Sequence, residues 1–269
     1  MSASTLPHYP SGLTDSQWKL IEPLLPEVKS GPGKPGRPAL NQRHVVNGIL
    51  YVVKSGCQWR MLPKECGHWK TVFGYFNRWS QQSVWQKIME TFTRKERERQ
   101  GRKPEPSGGC IDSQSVKASM QPTENIGFDG GKKVKGRKRH VLTDTLGLII
   151  CVVVTSANQG DRQGLKALME KWFEGGPKRL RKIWVDGGYS GQALKDWVRN
   201  LKKTHKVDLE VTQSEGKGFQ VVAKRWVVER TFGWLVGYRR HSKDYEVLTR
   251  NSESMIQISM IAMLVRRLA

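Results

Sequence analysis

The chain is short of negative charge. Its 269 residues carry 24 Asp and Glu against 46 Lys and Arg, a formal net charge of +22. Such an imbalance does not select a fold, but it draws a protein to polyanions, nucleic acid first. Cysteine is scarce too. Cys57, Cys66, Cys110 and Cys151 form no C-x-x-C pair, so neither a disulfide framework nor a paired-thiol metal site is expected. Cys57, Cys66 and His68 would need a fourth ligand to hold zinc, and none stands nearby. Reduced, packed thiols are the expectation. Long apolar runs are missing as well. "MIQISMIAMLV" is interrupted by Gln257 and Ser259 and is too short to cross a bilayer. The opening "MSASTLPHYP" lacks the basic start and apolar core of a signal peptide. Without a lipidation pattern or a basic amphipathic helix, no membrane partner is expected. The expected location is the cytoplasm, on the nucleoid.

The patterns that are present change character partway along. "LTDSQWKLIEPLLP" starts with a capping box, Thr14 and Gln17, and reads as a helix ended by Pro26. "SGPGKPGRPAL" is too rich in Gly and Pro for helix or strand. With Lys34 it has the composition of either a linker or a short basic arm for the minor groove. "NQRHVVNGILYVVKSG", "HWKTVFGYFNRWSQQ" and "VWQKIMETFTRKERERQ" follow as three helical patterns. The first ends at Gly56, and the second aligns Trp69, Phe73, Phe76 and Trp79. Helix, turn, helix suits a DNA reader with Lys70, Asn77 and Arg78 as contacts. A helical bundle with an aromatic core has the same pattern, and composition does not separate the two.

"RKERERQGRKPEPSGG" marks a boundary, after which strands begin. "GCIDSQSV" reads as a strand, "KRHVLTDTLGLIICVVVTSA" as two strands joined at 144–147, and "DRQGLKALMEKWFE" as a helix. "RLRKIWVDGG" and "KVDLEVTQ" read as strands, and from about 221 the chain turns helical to its end. The expected architecture is therefore α/β, a mixed sheet flanked by helices, with an all-helical N-terminal domain over 1–105 and a second domain over 106–269.

Three scarce acids fall where such a sheet would gather ligands. Asp112 ends the first strand, Asp186 ends the fourth beside Gly187 and Gly188, and Glu229 interrupts the apolar helix "WVVERTFGWL". Strand ends are where side chains converge in α/β sheets. A carboxylate among such neighbours calls for a compensating charge. Carboxylate oxygens suit magnesium or manganese, and two such ions can drive phosphodiester chemistry. Blander readings fit the same positions: a strand-end cap for Asp112, an Asp-Gly turn for Asp186, and ion pairing with Arg225 or Arg230 for Glu229.

"IDSQSVKAS", "GGKKVKGRKRHVLTDTLGL", "VDGGYSG" and "KRWVVERTFGWL…YRRHSKDYE" resemble, in order, the catalytic blocks of bacterial DDE transposases of the group named after insertion sequence 5. "LTDSQWKLIEPLLP" and "SGCQWRMLPKECGHWKTVFGYFNRW" resemble that family's helical N-terminal domain. The resemblance spans nearly the whole chain. It implies a ribonuclease H-like catalytic domain in which Asp112, Asp186 and Glu229 are the catalytic, metal-holding triad for two Mg2+ ions, Mn2+ being able to substitute. It implies cleavage at transposon terminal repeats and joining of 3′-hydroxyl ends to target DNA. The partner implied is double-stranded DNA, bound by a homodimer. The chain departs from the family at Val236 and Gly237, where a basic residue about two turns after the glutamate is usual. Phosphate contacts are then expected from Arg225, Arg239, Arg240 and Lys243. The run "KKVKGRKR" adds Lys132, Lys133, Lys135, Arg137, Lys138 and Arg139 as a sequence-independent grip. Base reading would fall to the N-terminal helices, through Lys70 and Arg78.

Overall fold

The computed structural model describes residues 9–27, 40–120, 124–175, 179–187, 192–212 and 226–269. "PGRP" with Lys34, and Arg225, lie outside the described residues.

Helix α1 (Asp15–Ile21) opens on the expected capping box. The Thr14 hydroxyl accepts from the Gln17 backbone N–H, and the Gln17 side chain accepts from that of Thr14. It stops earlier than expected because Pro23, which has no N–H to donate, opens a 3-10 turn over Glu22–Leu24. Helix α2 (Gln42–Ser55) ends at Gly56, whose φ of 72° is the left-handed conformation that closes helices. Two short 3-10 turns lead to α3 (Trp69–Gln81) and α4 (Val84–Arg99). Phe76 and Trp79 are buried, with Trp69 and Phe73 packed against the same core.

The strands that follow are β1 (Gly108–Lys117), β2 (Gly127–Asp129), β3 (Val134–Asp144) and β4 (Ile149–Ser156), then helix α5 (Asp161–Gly175), β5 (Lys182–Val185), helix α6 (Gln192–His205) and β6 (Asp208–Val211). β3 pairs antiparallel with both β1 and β4, while β1, β5 and β6 run parallel. The order β4-β3-β1-β5-β6, antiparallel then parallel, is that of a ribonuclease H-like sheet. β2 extends it beside the first residues of β3. Helices α5 and α6 cover one face, against Ile111, Leu142, Ile183 and Val185. The other face, with Cys110, Val141 and Trp184, is covered by α7 (Trp226–Val236) and α8 (Thr249–Leu268).

One expectation is corrected by this arrangement. The single long final helix is two helices, α7 and α8, with a 3-10 turn at Arg239–His241 between them. One apolar cluster runs from Val45, Phe76 and Phe92 through α8 to Val152 and Val154. Helix α8 touches α1, α2, α3, α4 and β4 alike. Its apolar residues face helices on one side and the sheet on another, so the helical segment shares its core with the α/β segment. Among the described residues no helix is long and apolar enough to cross a membrane.

Candidate active site

Parallel pairing aligns β1 and β5 so that Cys110 lies opposite Trp184. Two residues further along each, Asp112 lies in the middle of β1, which runs on to Lys117 through its pairing with β3 and so does not end at the aspartate as expected, while Asp186 directly follows the last residue of β5. Neighbouring strands are about 4.8 Å apart. Side chains alternate between faces along a strand. Asp112 therefore shares the face of Cys110, and Asp186 that of Trp184, both in the cluster covered by α7. Both aspartates are half-buried. The Asp112 Oδ1 accepts the Ser113 N–H at 2.7 Å.

Helix α7 packs on β1 and β3 over this same face. It is pinned by Thr231, whose hydroxyl donates to the Gly147 carbonyl at 2.7 Å, and by Arg230, which donates to the Leu146 carbonyl at 3.0 Å. The helix buries Val227, Val228, Thr231, Phe232 and Leu235. Glu229 is exposed: the flank of the helix carries it, so the apolar sequence around it does not bury the carboxylate. Arg230 lies over the rings of Trp226 and Trp234, at 4.3 and 4.8 Å. Gly237 stands just past the last helical residue, its N–H donating to the Trp234 carbonyl at 3.2 Å. It closes the helix and does not weaken its interior.

The sheet thus aligns the two aspartates, and α7 brings Glu229 to their side of it. Among the described residues no three Asp, Glu, His or Cys side chains are gathered closely enough to hold one metal ion. The donor chemistry nevertheless fits a hard divalent cation, since every candidate donor is a carboxylate oxygen and two sit on rigid neighbouring strands.

The opposite face of β1 carries a polar network that sequence reasoning missed. The Ser113 hydroxyl donates to Asp161 at 2.7 Å and that of Ser115 to Asp129 at 2.5 Å. Lys138 bridges the two acids, at 3.2 Å from Asp161 and 3.5 Å from Asp129. Asp129 is held down to about 2 by the Ser115 hydrogen bond, the Lys132 backbone N–H and the Lys138 charge, against the opposing effect of burial. The clue was the alternation Asp-Ser-Gln-Ser after the apolar start of β1, polar on both faces of a buried strand.

The expected DNA contacts divide sharply. Lys70, Arg78, Lys132, Lys133, Lys135, Arg239 and Lys243 are exposed. Lys132 also reaches the Ser113 carbonyl at 3.5 Å, beside Asp112. Arg137, Lys138, Arg139 and Arg240 are buried, and phosphate contact through them is corrected. The Arg137 guanidinium, with 0% exposure, donates to Asp244, Ser252 and the carbonyls of Glu124, Glu246 and Val247. Arg139 donates to the His241 carbonyl at 3.1 Å, and burial brings it down to about 10. Arg240 pairs with Glu246 at 2.7 Å. The reason is the period of the strand: β3 lies between β1 and β4, so its side chains enter the layers beneath α5 and beneath 241–252. Asn77 is turned inward as well, accepting from Arg250 and Asn251 of α8.

A ribonuclease H-like sheet with one carboxylate within β1 and another directly after its parallel neighbour β5, in a chain of net charge +22, is of the class that acts on nucleic acid. Family comparison is more specific. Residues 103–264 match the family described as "Transposase DDE domain", and residues 13–89 match "Putative transposase of IS4/5 family". The chain belongs to the DDE transposases of the IS4/5 type. It is 37% identical over 109 residues to "Insertion element IS402 uncharacterized 16.2 kDa protein" of Burkholderia cepacia, covering 39% of this chain and 73% of that one. It is 31% identical over 111 residues to "Putative transposase for insertion sequence element IS402" of the same organism, and spans 51% of its length. The solved structure titled "Crystal structure of the Mos1 Strand Transfer Complex" aligns over 90% of this chain and 80% of that chain, at 12% identity and a TM-score of 0.25.

Proposed function

We propose that this chain cleaves phosphodiesters at the terminal inverted repeats of an insertion sequence and joins the freed 3′-hydroxyl ends to target DNA. The observation that carries the reading is the placement of Asp112 two residues beyond Cys110 on β1 and of Asp186 two residues beyond its partner Trp184, directly after β5, beside the face that α7 covers. Asp112 holds divalent cations from within β1, and Asp186 from the residue directly after β5. Glu229 completes the set from α7, its exposed flank leaving the carboxylate open to a bound strand. Two Mg2+ ions, or Mn2+, would activate the attacking water or hydroxyl and offset charge on the departing oxygen. The network of Ser113, Asp161, Lys138, Asp129 and Ser115 braces β1 from behind. The exposed Lys132, Lys133 and Lys135, with Arg239 and Lys243, grip phosphates at the edge of the site. Bringing two element ends together requires at least a homodimer on double-stranded DNA.

The test compares metal-dependent nicking and end joining by the natural protein and by Asp186→Asn, on duplexes carrying the terminal repeats. The substitution should abolish both reactions and leave thermal unfolding and metal-free binding unchanged. Equal cleavage by the two proteins would refute the assignment. Tight binding by the natural protein with no cleavage at any Mg2+ or Mn2+ concentration would instead identify a DNA-binding protein that has lost catalysis.

A further inference from the structure

Strand β1 outruns its parallel neighbour. β5 pairs only with Gly108–Cys110. Further along, the Asp244 N–H donates to the Lys117 carbonyl and the Ser119 N–H to the Asp244 carbonyl, both at 2.8 Å. The Ala118 N–H points the other way, to the Lys135 carbonyl of β3 at 3.3 Å. Asp244 therefore takes up the edge of β1 that β5 has left. Among the described residues no strand covers that edge between residues 111 and 116. Asp112 stands beside this gap. So does Gln114, two residues on and therefore on the same face, where it is half-buried.

One end of the Gln114 amide is fixed. Arg139, its cross-strand partner on β3, donates to the Gln114 Oε1 at 3.5 Å. A guanidinium can only donate, so the amide oxygen faces it and the NH2 group faces away. Arg139 is 2% exposed. Its other bonds go to the carbonyls of His241 and Lys243, at 3.1 and 3.4 Å, and its Nε–H is buried without an acceptor. Among the described residues no ion pair joins it to a carboxylate. A glutamate at 114 would supply one. If residue 114 served Arg139 alone, the carboxylate would be the better side chain, because an unmatched buried charge is costly. What the amide has and the carboxylate lacks is a pair of N–H donors. Beside Asp112, in a chain of net charge +22, such donors suit an anionic oxygen.

We infer that Gln114 is a substrate-contacting residue. Its Nε2–H donates to a non-bridging oxygen of the phosphodiester cleaved at Asp112 and Asp186, and Arg139 is the residue that positions it. The inference rests on the proposed cleavage reaction. Charge builds on that oxygen in the transition state, so the donor acts more strongly there than on bound duplex. Its loss falls on kcat and spares KM.

The experiment compares Gln114→Glu and Gln114→Met with the natural protein, all as the full chain. Thermal unfolding is measured without metal, and steady-state nicking of terminal-repeat duplexes is measured in Mg2+. Gln114→Glu gives Arg139 a counter-ion and removes the donor. Its Tm should rise while kcat falls about a hundredfold, with KM for the duplex little changed. Gln114→Met removes the donor without adding charge, and its kcat should fall by a similar factor. That variant separates loss of the donor from repulsion by a new carboxylate. Full kcat in Gln114→Met would overturn the inference. So would a raised KM with kcat retained, which would make Gln114 a general grip on the duplex. A Tm that does not rise in Gln114→Glu would overturn its premise, that the amide oxygen faces Arg139. Nicking by the natural protein with no loss in the variants would leave the proposed function standing without this contact. No nicking by the natural protein would overturn the proposed function and the contact together.

Discussion

Replacing Arg137 tests whether the basic run on β3 serves DNA or the fold. The guanidinium has no exposed surface. It donates at 3.0 Å to Asp244, at 2.9 Å to the Ser252 hydroxyl, and at 2.7 to 2.8 Å to the carbonyls of Glu124, Glu246 and Val247. Asp244 is itself buried, so Arg137→Met leaves a carboxylate in the interior without its cation. Removing one partner of a buried pair costs about 3–5 kcal/mol, most of it the stranded charge. That is a large share of the roughly 5–15 kcal/mol that holds a domain folded, and at this chain length it lowers Tm by about 10 °C. Lys133→Met, at an exposed site in the same run, should shift stability by less than about 0.5 kcal/mol. Urea unfolding measures the stability, and the salt dependence of duplex binding measures the phosphate contacts. Lys133→Met should reduce the slope of log affinity against log salt by about one, and Arg137→Met should leave it unchanged. If Arg137→Met kept full stability and flattened the salt slope, the interior assignment of this guanidinium would be wrong.

Gly147 turns from β3 to β4 with φ +80°, and a Cβ there would lie 2.9 Å from the Thr231 hydroxyl and 3.1 Å from the Trp234 ring. Gly147→Ala should therefore cost at least about 1 kcal/mol and lower cleavage by displacing α7; unchanged urea midpoint and rate would refute the role of this turn as the seat of the helix. Acid should also weaken the fold before its carboxylates protonate. Burial holds the His140 imidazole down to about 4 from 6.5, with Lys138 and Lys132 adding to the effect against the Asp161 charge. The unfolded chain then takes up a proton below about pH 6.5 that the folded chain refuses until about 4, so stability falls with pH through that window, by about 2 kcal/mol from pH 7 to 5. His241, held well below its usual value by burial and by Arg139 and Arg240, acts with the same sign. Asp129, held at about 2, loses its contribution only below pH 3.8. The difference in urea midpoint between pH 7 and 5 should shrink in His140→Gln; an equal difference would refute the assignment.

The strand order was legible because each strand has its own signature: apolar residues into Asp112, the two runs around 144–147, and "KIWV" into Asp186. Those same signatures set Asp186 correctly just after β5 but ended β1 too early, because the strand continues past Asp112 through polar residues to Lys117. Helix α6 was legible but overlooked, since Leu194, Trp197, Val198 and Leu201 repeat at helical spacing. Strand β2 was not, because three residues are too few to show a period. The burial of Arg137 and Arg139 was hidden for a different reason. A charge run reads as solvated until its strand is known to have neighbours on both edges and layers on both faces, and only tertiary pairing supplies Asp244, Glu246 and the carbonyls that satisfy those cations. Glu229 was misjudged by the opposite error. Its sequence neighbours are apolar, yet at 100° per residue it falls outside the arc formed by Val227, Val228, Thr231, Phe232 and Leu235.

Moving these cations into the interior does not weaken the case for DNA. The buried cations are matched: Arg97 meets Asp144, Arg137 meets Asp244, Arg240 meets Glu246, and Lys138 lies between Asp129 and Asp161. Only Arg139 is answered chiefly by carbonyls and a side-chain amide. Interior pairing therefore removes acids and bases in nearly equal numbers, and the net charge of +22 stays almost wholly on the surface. Burial in fact concentrates it, because the paired acids, already scarce, are no longer outside to offset exposed lysines and arginines. A polyanion approaching this protein meets a surface more one-sidedly basic than composition suggests.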